Sequence, residues 1–309
     1  MTDIASSFRD ADGAMWSDLT RCLDFMNGTP FFRRYKAESW EALRISGADR
    51  ILDVACGVGF DVIELARRFP GAEVYGLDPS LGFLALAWER ARGLANARFI
   101  GGDSRRLPFN DNCFDAVRID RSLQHIAGAI EALREMVRVT RDGGRIVVAE
   151  PDWGTFFVYN GDLATGAKIA GFWEKSFANP YIGREAGALL QRCGVGNIGC
   201  RAHALAVRSV EAADVIFDLP RVTENCVAAG VLTAARRGLY PMARGEKIPK
   251  DYLKRFCLKG LGQYEGKFLV QQELRKKVED RIAGEIARGQ KRQRQRENER
   301  EDRAKSRYM

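Results

Sequence analysis

A chain of 309 residues can form one large domain or two small ones, and its 46% hydrophobic and 29% charged residues are ordinary for a globular protein. No apolar run approaches the ~18 residues that span a bilayer. The N-terminal stretch MTDIASSFRDADGAMW is acidic from its third residue and has no apolar centre, which excludes a signal peptide and predicts a cytoplasmic protein. The net charge of +8 suggests an acidic partner only until it is located: from Arg288 onward nine Lys and Arg face four acids, a net +5, leaving +3 for the rest. Seven cysteines lie singly with no C-x-x-C pair, and there are only two histidines, so neither a structural zinc site nor a disulfide framework is expected.

In chain order, residues 1–48 read as a helical N-terminal cap. Between 51 and 149, short apolar runs alternate with amphipathic stretches, the pattern of β-α units around a parallel sheet. ILDVA (51–55) is the first strand. A helix from about Phe60 follows, with Val62, Leu65, Ala66 and Phe69 on one face, and Pro70-Gly71 stops it. AEVYGL (72–77) is the second strand, Pro79-Ser80 opens a helix to about Arg92, NARFIGG (96–102) is the third strand and FDAVRID (114–120) the fourth. A helix over about 127–139 and the turn Asp142-Gly143-Gly144 lead to RIVVAE (145–150), the fifth. Residues 152–192 are aromatic-rich helices broken at Asn179-Pro180, a lid over the carboxyl edge of the sheet. NIGCRAHALAV (197–207) reads as a sixth strand, with a helical stretch to about Arg237, GKFLVQQ (266–272) as a seventh strand, and a further helix from Gln272. The expected domains are therefore the cap, a cofactor-binding domain over 49–272 including the lid, and a helical or disordered charged tail over 273–309.

The segment carrying most chemistry is DVACGVGFD (53–61). A strand ends at Asp53-Val54, Gly57 and Gly59 follow, and a helix opens with Asp61 in its first turn. Glycine permits the tight turn and lets a ligand approach the backbone, and in an open parallel sheet ligands bind beyond the carboxyl ends of the strands. The second strand ends in Asp78, placed to accept hydrogen bonds from both hydroxyls of a ribose. The third ends in Asp103-Ser104, placed for the exocyclic amine of an adenine. Read separately, each acid is a helix cap; together, with the glycine turn, they form a nucleotide-type site.

These motifs resemble the class I S-adenosylmethionine-dependent methyltransferases over about Cys22 to Val207. ILDVACGVG is similar to the glycine-rich motif, GLDPS to the ribose-binding segment and GGDSRRLPF to the adenine-binding one. LPFNDNCFDAVRIDRSLQHI and EMVRVTRDGGRIVVAEPDWGT resemble the branch of quinone-biosynthesis C-methyltransferases and small-molecule O-methyltransferases. A nicotinamide-dinucleotide dehydrogenase is the rival, but the third glycine of its fingerprint is missing. The resemblance implies a doubly wound, mostly parallel α/β sheet, Rossmann-like, with helical cap and lid insertion, and S-adenosyl-L-methionine as cofactor. It implies that Asp53, Ala55, Gly57 and Gly59 line the methionine part, Asp78 with Pro79 and Ser80 the ribose, Asp103 and Ser104 the adenine, and Asp120 and Arg121 the sulfonium and carboxylate end. Tyr35 and Lys36 in the cap close over the methionine end.

Just past the fourth strand, His125 is the candidate base, its alternative being a cap of the following helix. Glu150 and Asp152 are alternatives for orienting an acceptor, and His203 reads as structural. Trp153, Phe156, Phe157, Tyr159, Phe172 and Trp173 are candidates for an apolar acceptor pocket, a minority of them touching substrate. Strand four continues as I-D-R-S-L rather than N-P-P-Y, and neither a Pro-Cys nucleophile nor a thiol set for arsenite methylation is present, so a small-molecule acceptor is expected: a quinone, lipid or specialised metabolite methylated on oxygen or carbon. Two alternatives are a non-methylating reaction such as cyclisation on the same scaffold, and RNA methylation anchored by the tail. The tail interleaves acids and has Tyr308 as its one aromatic, which disfavours nucleic acid. No metal and no membrane span are expected, and homodimerisation stays open.

Overall fold

The computed structural model describes residues 3–47, 49–158, 163–207 and 210–233. Every described residue belongs to the first of the chain's two units, 1–246.

Among the described residues five strands form one parallel sheet: β1 Arg50–Val54, β2 Glu73–Asp78, β3 Ala97–Gly101, β4 Phe114–Asp120 and β5 Thr140–Ala149. Their order is β3-β2-β1-β4-β5. The chain winds outward from β1 to β3, then returns to place β4 beside β1. The crevice beyond β1 and β4 is thus the switch point where such sheets bind ligands. The central strands β1, β2 and β4 are largely buried because both faces are covered. On one face Ile51, Val74, Ala97 and Phe99 meet α3 (Pro30–Ala42), α4 (Phe60–Arg68) and α5 (Leu81–Arg90) through Trp40, Leu65 and Leu84. On the other, Leu52, Val54, Val117 and Ile119 meet α6 (Ala129–Val139) and α8 (Ile182–Arg192) through Leu133, Met136 and Leu190. Ile51 and Leu52, successive in the strand, face opposite sides as the pleat requires. Each such side chain contributes about 1.5–3 kcal/mol by leaving water.

A third core lies over the carboxyl edge. Ile4 and Ala5 of α1 (Ile4–Ser7) and Leu19, Cys22 and Met26 of α2 (Trp16–Gly28) meet Phe32 of α3. Ile169 and Trp173 of α7 (Leu163–Glu174) join them, as do residues of α9 (Val210–Phe217) and α10 (Leu219–Ala228). Cap, lid and the helices after residue 210 therefore share one roof. It is pinned at its ends: Asp3 caps α1 through Ser6 N at 2.8 Å and accepts from Ser176 Oγ at 2.7 Å.

The expected sixth strand is not formed. Residues 197–207 have no strand structure and are mostly exposed, and among the described residues β5 pairs with β4 alone. Within that stretch Gly199, Cys200, Ala202, Ala204 and Ala206 have little apolar area to gain from a sheet. The expected strand at 266–272, the helix from Gln272, the boundary at 272 and the charged tail lie outside the described residues. Among the described residues no helix is long and apolar enough to cross a membrane.

Candidate active site

A cavity of about 550 Å³ opens at the carboxyl ends of the central strands. Its wall holds Asp53, Ala55, Gly57, Asp78, Pro79, Ser80, Asp103, Ser104, Asp120 and Arg121, so ten of the eleven residues expected at the cofactor converge there. The eleventh, Gly59, does not line the cavity. It is the left-handed residue (φ 78°) that starts α4, and a Cβ on it would meet Ala87 Cβ at 2.7 Å and Phe99 Cε1 at 2.9 Å. Its lack of a side chain brings α4 against α5 and β3. Gly57 (φ 53°) faces the cavity with ample room for a Cβ, so there the requirement is the backbone angle. Ala55 and Arg121, directly past β1 and β4, also adopt positive φ (54° each). Left-handed angles at non-glycine residues cost on the order of 1 kcal/mol or more, and here two of them flank the switch point.

Asp78 organises the first turn. Its Oδ2 accepts from Gly57 N at 2.8 Å and its Oδ1 from Ser80 N at 2.9 Å. Burial pushes its pKa up to about 6, against the pull of those two amides. Asp12, from the segment after α1, reaches the same corner: it accepts from Ser80 Oγ at 2.5 Å and from Leu81 N and Gly82 N at 3.1 Å each. Together with Ser80, which accepts from Phe83 N at 3.0 Å, it caps α5. Asp103 reaches the wall, but its half-exposed carboxylate is held by Arg105 through Nη2 at 2.7 Å and Nε at 3.0 Å.

Beneath the floor lies a buried ionic network. Arg118, 0% exposed in the middle of β4, lies level with Asp53 on β1 and donates to it at 2.7 Å. The same guanidinium is 3.1 Å from Asp61 and 3.4 Å from Asp120. Lys36 of α3 bridges Asp61, at 2.5 Å, and Asp120. Trp40 Nε1 donates to Asp61 at 2.8 Å, and the Tyr35 hydroxyl to Asp120 at 3.0 Å. Burial would lower the pKa of Lys36 and of Arg118, yet the aspartates outweigh it and both are raised, so both stay charged. The pKa of Asp53 is raised as well, here toward the neutral form: burial raises it, with Arg118 offsetting only part. In this network Asp53, Asp61 and Asp120 share the two cations Arg118 and Lys36. Arg118 and Trp40 were absent from the expected site. The available signal was a charged residue flanked by Val117 and Ile119 in a strand covered on both faces, which demands buried acidic partners.

The far end of the cavity is aromatic. His125 lies between Phe8 and Phe177 (centroids 5.0 and 5.4 Å), and Trp153 stacks on Phe177 at 4.5 Å with Trp173 edge-on at 5.4 Å from the same ring. Of the lid aromatics, Trp153 and Trp173 line the cavity, while Phe156, Phe157 and Phe172 do not, and Tyr159 lies outside the described residues. Glu150 and Asp152 are not in the wall either. Glu150 accepts from Ser122 N and Leu123 N, both at 2.7 Å, and so holds the loop after β4. Asp152 accepts from Arg184 Nε at 2.7 Å and from Gly154 N at 3.1 Å. His203, in irregular chain rather than a strand, places Nε2 3.4 Å from Glu38. Among the described residues no group of three or more His, Cys, Asp or Glu is arranged for a metal ion.

A doubly wound sheet with a glycine turn after its first strand and a buried carboxylate after its second defines a nucleotide-cofactor enzyme scaffold. Residues 51–144 match the family model described as a methyltransferase domain. The "uncharacterized 37.1 kDa protein in transposon TN4556" of Streptomyces fradiae is 34% identical over 227 residues, 72% of this chain and 66% of that protein. The demethylmenaquinone methyltransferases of Beutenbergia cavernae and Mycobacterium marinum are 36% and 41% identical, covering 54% and 48% of this chain and 65% and 59% of their own lengths. The chain thus spans just under two-thirds, or less, of these relatives. Among solved structures, the YcgJ protein of Bacillus subtilis superposes with a TM-score of 0.50 at 16% identity, covering 73% of this chain and 88% of that one, a likeness of fold. The chain carries a class I S-adenosylmethionine-dependent methyltransferase domain, and S-adenosylmethionine is the cofactor of that class.

Proposed function

We propose that this protein transfers the methyl group of S-adenosylmethionine to an oxygen or carbon of a small quinol-type molecule in the cytoplasm. The observation that carries the reading is continuity: one cavity joins the Asp78–Gly57 corner to the aromatic end around His125 and Trp153. Its residues suit the cofactor. Asp78 would take the ribose hydroxyls, with Pro79 and Ser80 beside it, and Asp103 and Ser104 would face the adenine. Asp53, Ala55, Gly57, Asp120 and Arg121 would surround the methionine end. When bound, the cofactor supplies an electrophilic methyl group on a sulfonium. The protein's part is to hold the acceptor in line and exclude water, which can supply much of the rate without a dedicated base. His125 fits that division. Burial, then Arg121 and Arg9, lower its pKa to about 3, so the imidazole is neutral and a weak base at pH 7.

The quinol follows from the relatives named demethylmenaquinone methyltransferase, whose named reaction also favours methylation over cyclisation. The test is transfer of labelled methyl from the donor to demethylmenaquinol or to a panel of phenols. Labelled, extractable product that depends on the acceptor is expected; label retained in the donor across the panel, by protein that binds the cofactor, contradicts the reading.

Cofactor binding should also depend on pH through Asp78. Only its ionised form accepts two hydroxyl hydrogen bonds, and with a pKa of about 6 the free protein gains a proton there as pH falls. Affinity for S-adenosylhomocysteine should therefore be flat from pH 7 to 8 and fall by up to about tenfold at pH 5. Calorimetric titrations at these pH values check it, and constant affinity would remove Asp78 from the ligand's contacts.

A further inference from the structure

The break in the lid at Asn179-Pro180 lies outside the cavity wall, yet it grips the loop that forms much of that wall. Six of the seven residues from 121 to 127 line the cavity, and they wrap around one short 3-10 turn, Leu123–His125. Asn179 Nδ2 donates to Leu123 O and to Ile126 O, at 2.7 Å each, and Asn179 N donates to Gln124 O at 3.0 Å. The three carbonyls flank His125 on both sides. An aspartate in this place would have no proton to give, and a serine or threonine only one. Two further bonds join the same break to the aromatic end of the cavity. Pro180 O accepts from Trp153 N at 2.9 Å, and Trp153 Nε1 donates to Gln124 Oε1 at 2.5 Å. Loop, Trp153 and lid break are thus tied in one closed circuit. Gln124 is 1% exposed, so water does not compete for its bonds. Phe177, two residues before Asn179, lies 5.4 Å from the His125 ring and stacks on Trp153 at 4.5 Å. Apolar burial has no direction of its own, so it is the hydrogen bonds that fix how these rings face one another.

Resting on the methyltransferase reading, we infer that Asn179 is a positioning residue for methyl transfer: from outside the wall it holds His125, Phe177 and Trp153 in one arrangement, and so sets where the acceptor lies relative to the donor. A misplacement of about 1 Å, caused far from the chemistry, can cost about a hundredfold in rate. The donor's end of the cavity is held separately, by the bonds of Asp78 to Gly57 N and Ser80 N. Loss of the clasp therefore falls on the acceptor and spares the donor.

Asn179→Leu keeps the shape of the side chain and removes both donated protons. On the full chain, four quantities are compared with the wild type: affinity for S-adenosylhomocysteine, kcat/KM for labelled methyl transfer to demethylmenaquinol, the urea midpoint, and the imidazole signals in NMR. The chain has two histidines, so His203→Gln assigns the pair. The variant should bind S-adenosylhomocysteine within about twofold of the wild type while kcat/KM for the acceptor falls about tenfold or more. The His125 signal, shifted in the wild type by the rings of Phe8 and Phe177, should move, and that of His203 should stay. Gln124→Met, which frees Trp153 from the loop, should also lower kcat/KM and move the His125 signal, and it decides should Asn179→Leu fail to fold. A lower urea midpoint with unchanged kcat/KM and an unmoved His125 signal would mean that Asn179 only stabilises the fold, and would overturn the inference. Equal losses of donor affinity and acceptor kcat/KM would overturn it too. Failure of the wild type to bind S-adenosylhomocysteine or to transfer methyl would count against the methyltransferase reading or its acceptor, and the His125 signal then decides this inference by itself.

Discussion

Replacing Arg118 with leucine is expected to lower the stability of the folded protein by about 3–5 kcal/mol, read as a fall in the urea midpoint with an unchanged slope. The side chain is 0% exposed and is 2.7 Å from Asp53, 3.1 Å from Asp61 and 3.4 Å from Asp120. Without it, three buried carboxylates share Lys36 alone. The cost is that of unpaired charge in a low dielectric, not of a lost contact, and leucine's apolar body does nothing to relieve it. A control sets the scale. Arg90 and Asp24 form a two-pronged pair of 2.7 Å bonds, but their side chains are 32% and 50% exposed, so Arg90→Leu should cost at most about 1 kcal/mol. Similar losses for the two variants would mean that the network is better hydrated than its burial indicates.

The second large effect falls on binding. Asp78→Ala should weaken S-adenosylhomocysteine binding tenfold or more, which is ~1.4 kcal/mol or above. The substitution removes the carboxylate proposed for the ribose and also the acceptor of Gly57 N and Ser80 N, so the glycine turn and the start of α5 lose their common tie. Asp103→Ala provides the contrast: that carboxylate is already held by Arg105 and half-exposed, and its removal should weaken binding less. Equal losses at the two positions would argue against a ribose contact at Asp78.

The strands at the centre of the sheet were legible because a strand covered on both faces is rich in apolar residues, and ILDV, EVYGLD and FDAVRID each carry such a run. The glycine turn and the acids at the ends of successive strands were legible for a similar reason: topology puts strand ends in one crevice whatever the loops do. What failed to show was whatever depends on side-chain company. Gly59 looked like its neighbour Gly57, and only the approach of Ala87 and Phe99 reveals a packing role. Glu150 and Asp152 looked free, yet backbone amides and Arg184 engage them. Arg118 passed as one more strand residue because its partners Asp53 and Asp61 come from β1 and α4, elements far from it in sequence. The stretch 197–207, expected as a strand, is built largely of Gly, Ala and Cys and lacks the apolar bulk that a sheet would bury.

The central claim is that the crevice beyond β1 and β4 holds S-adenosylmethionine, and calorimetric titration of the wild-type protein with S-adenosylhomocysteine tests it most directly. One site of micromolar affinity, which nicotinamide dinucleotides do not compete for, is the predicted result. Absence of heat from folded protein, with binding of a nicotinamide dinucleotide in its place, would contradict the account.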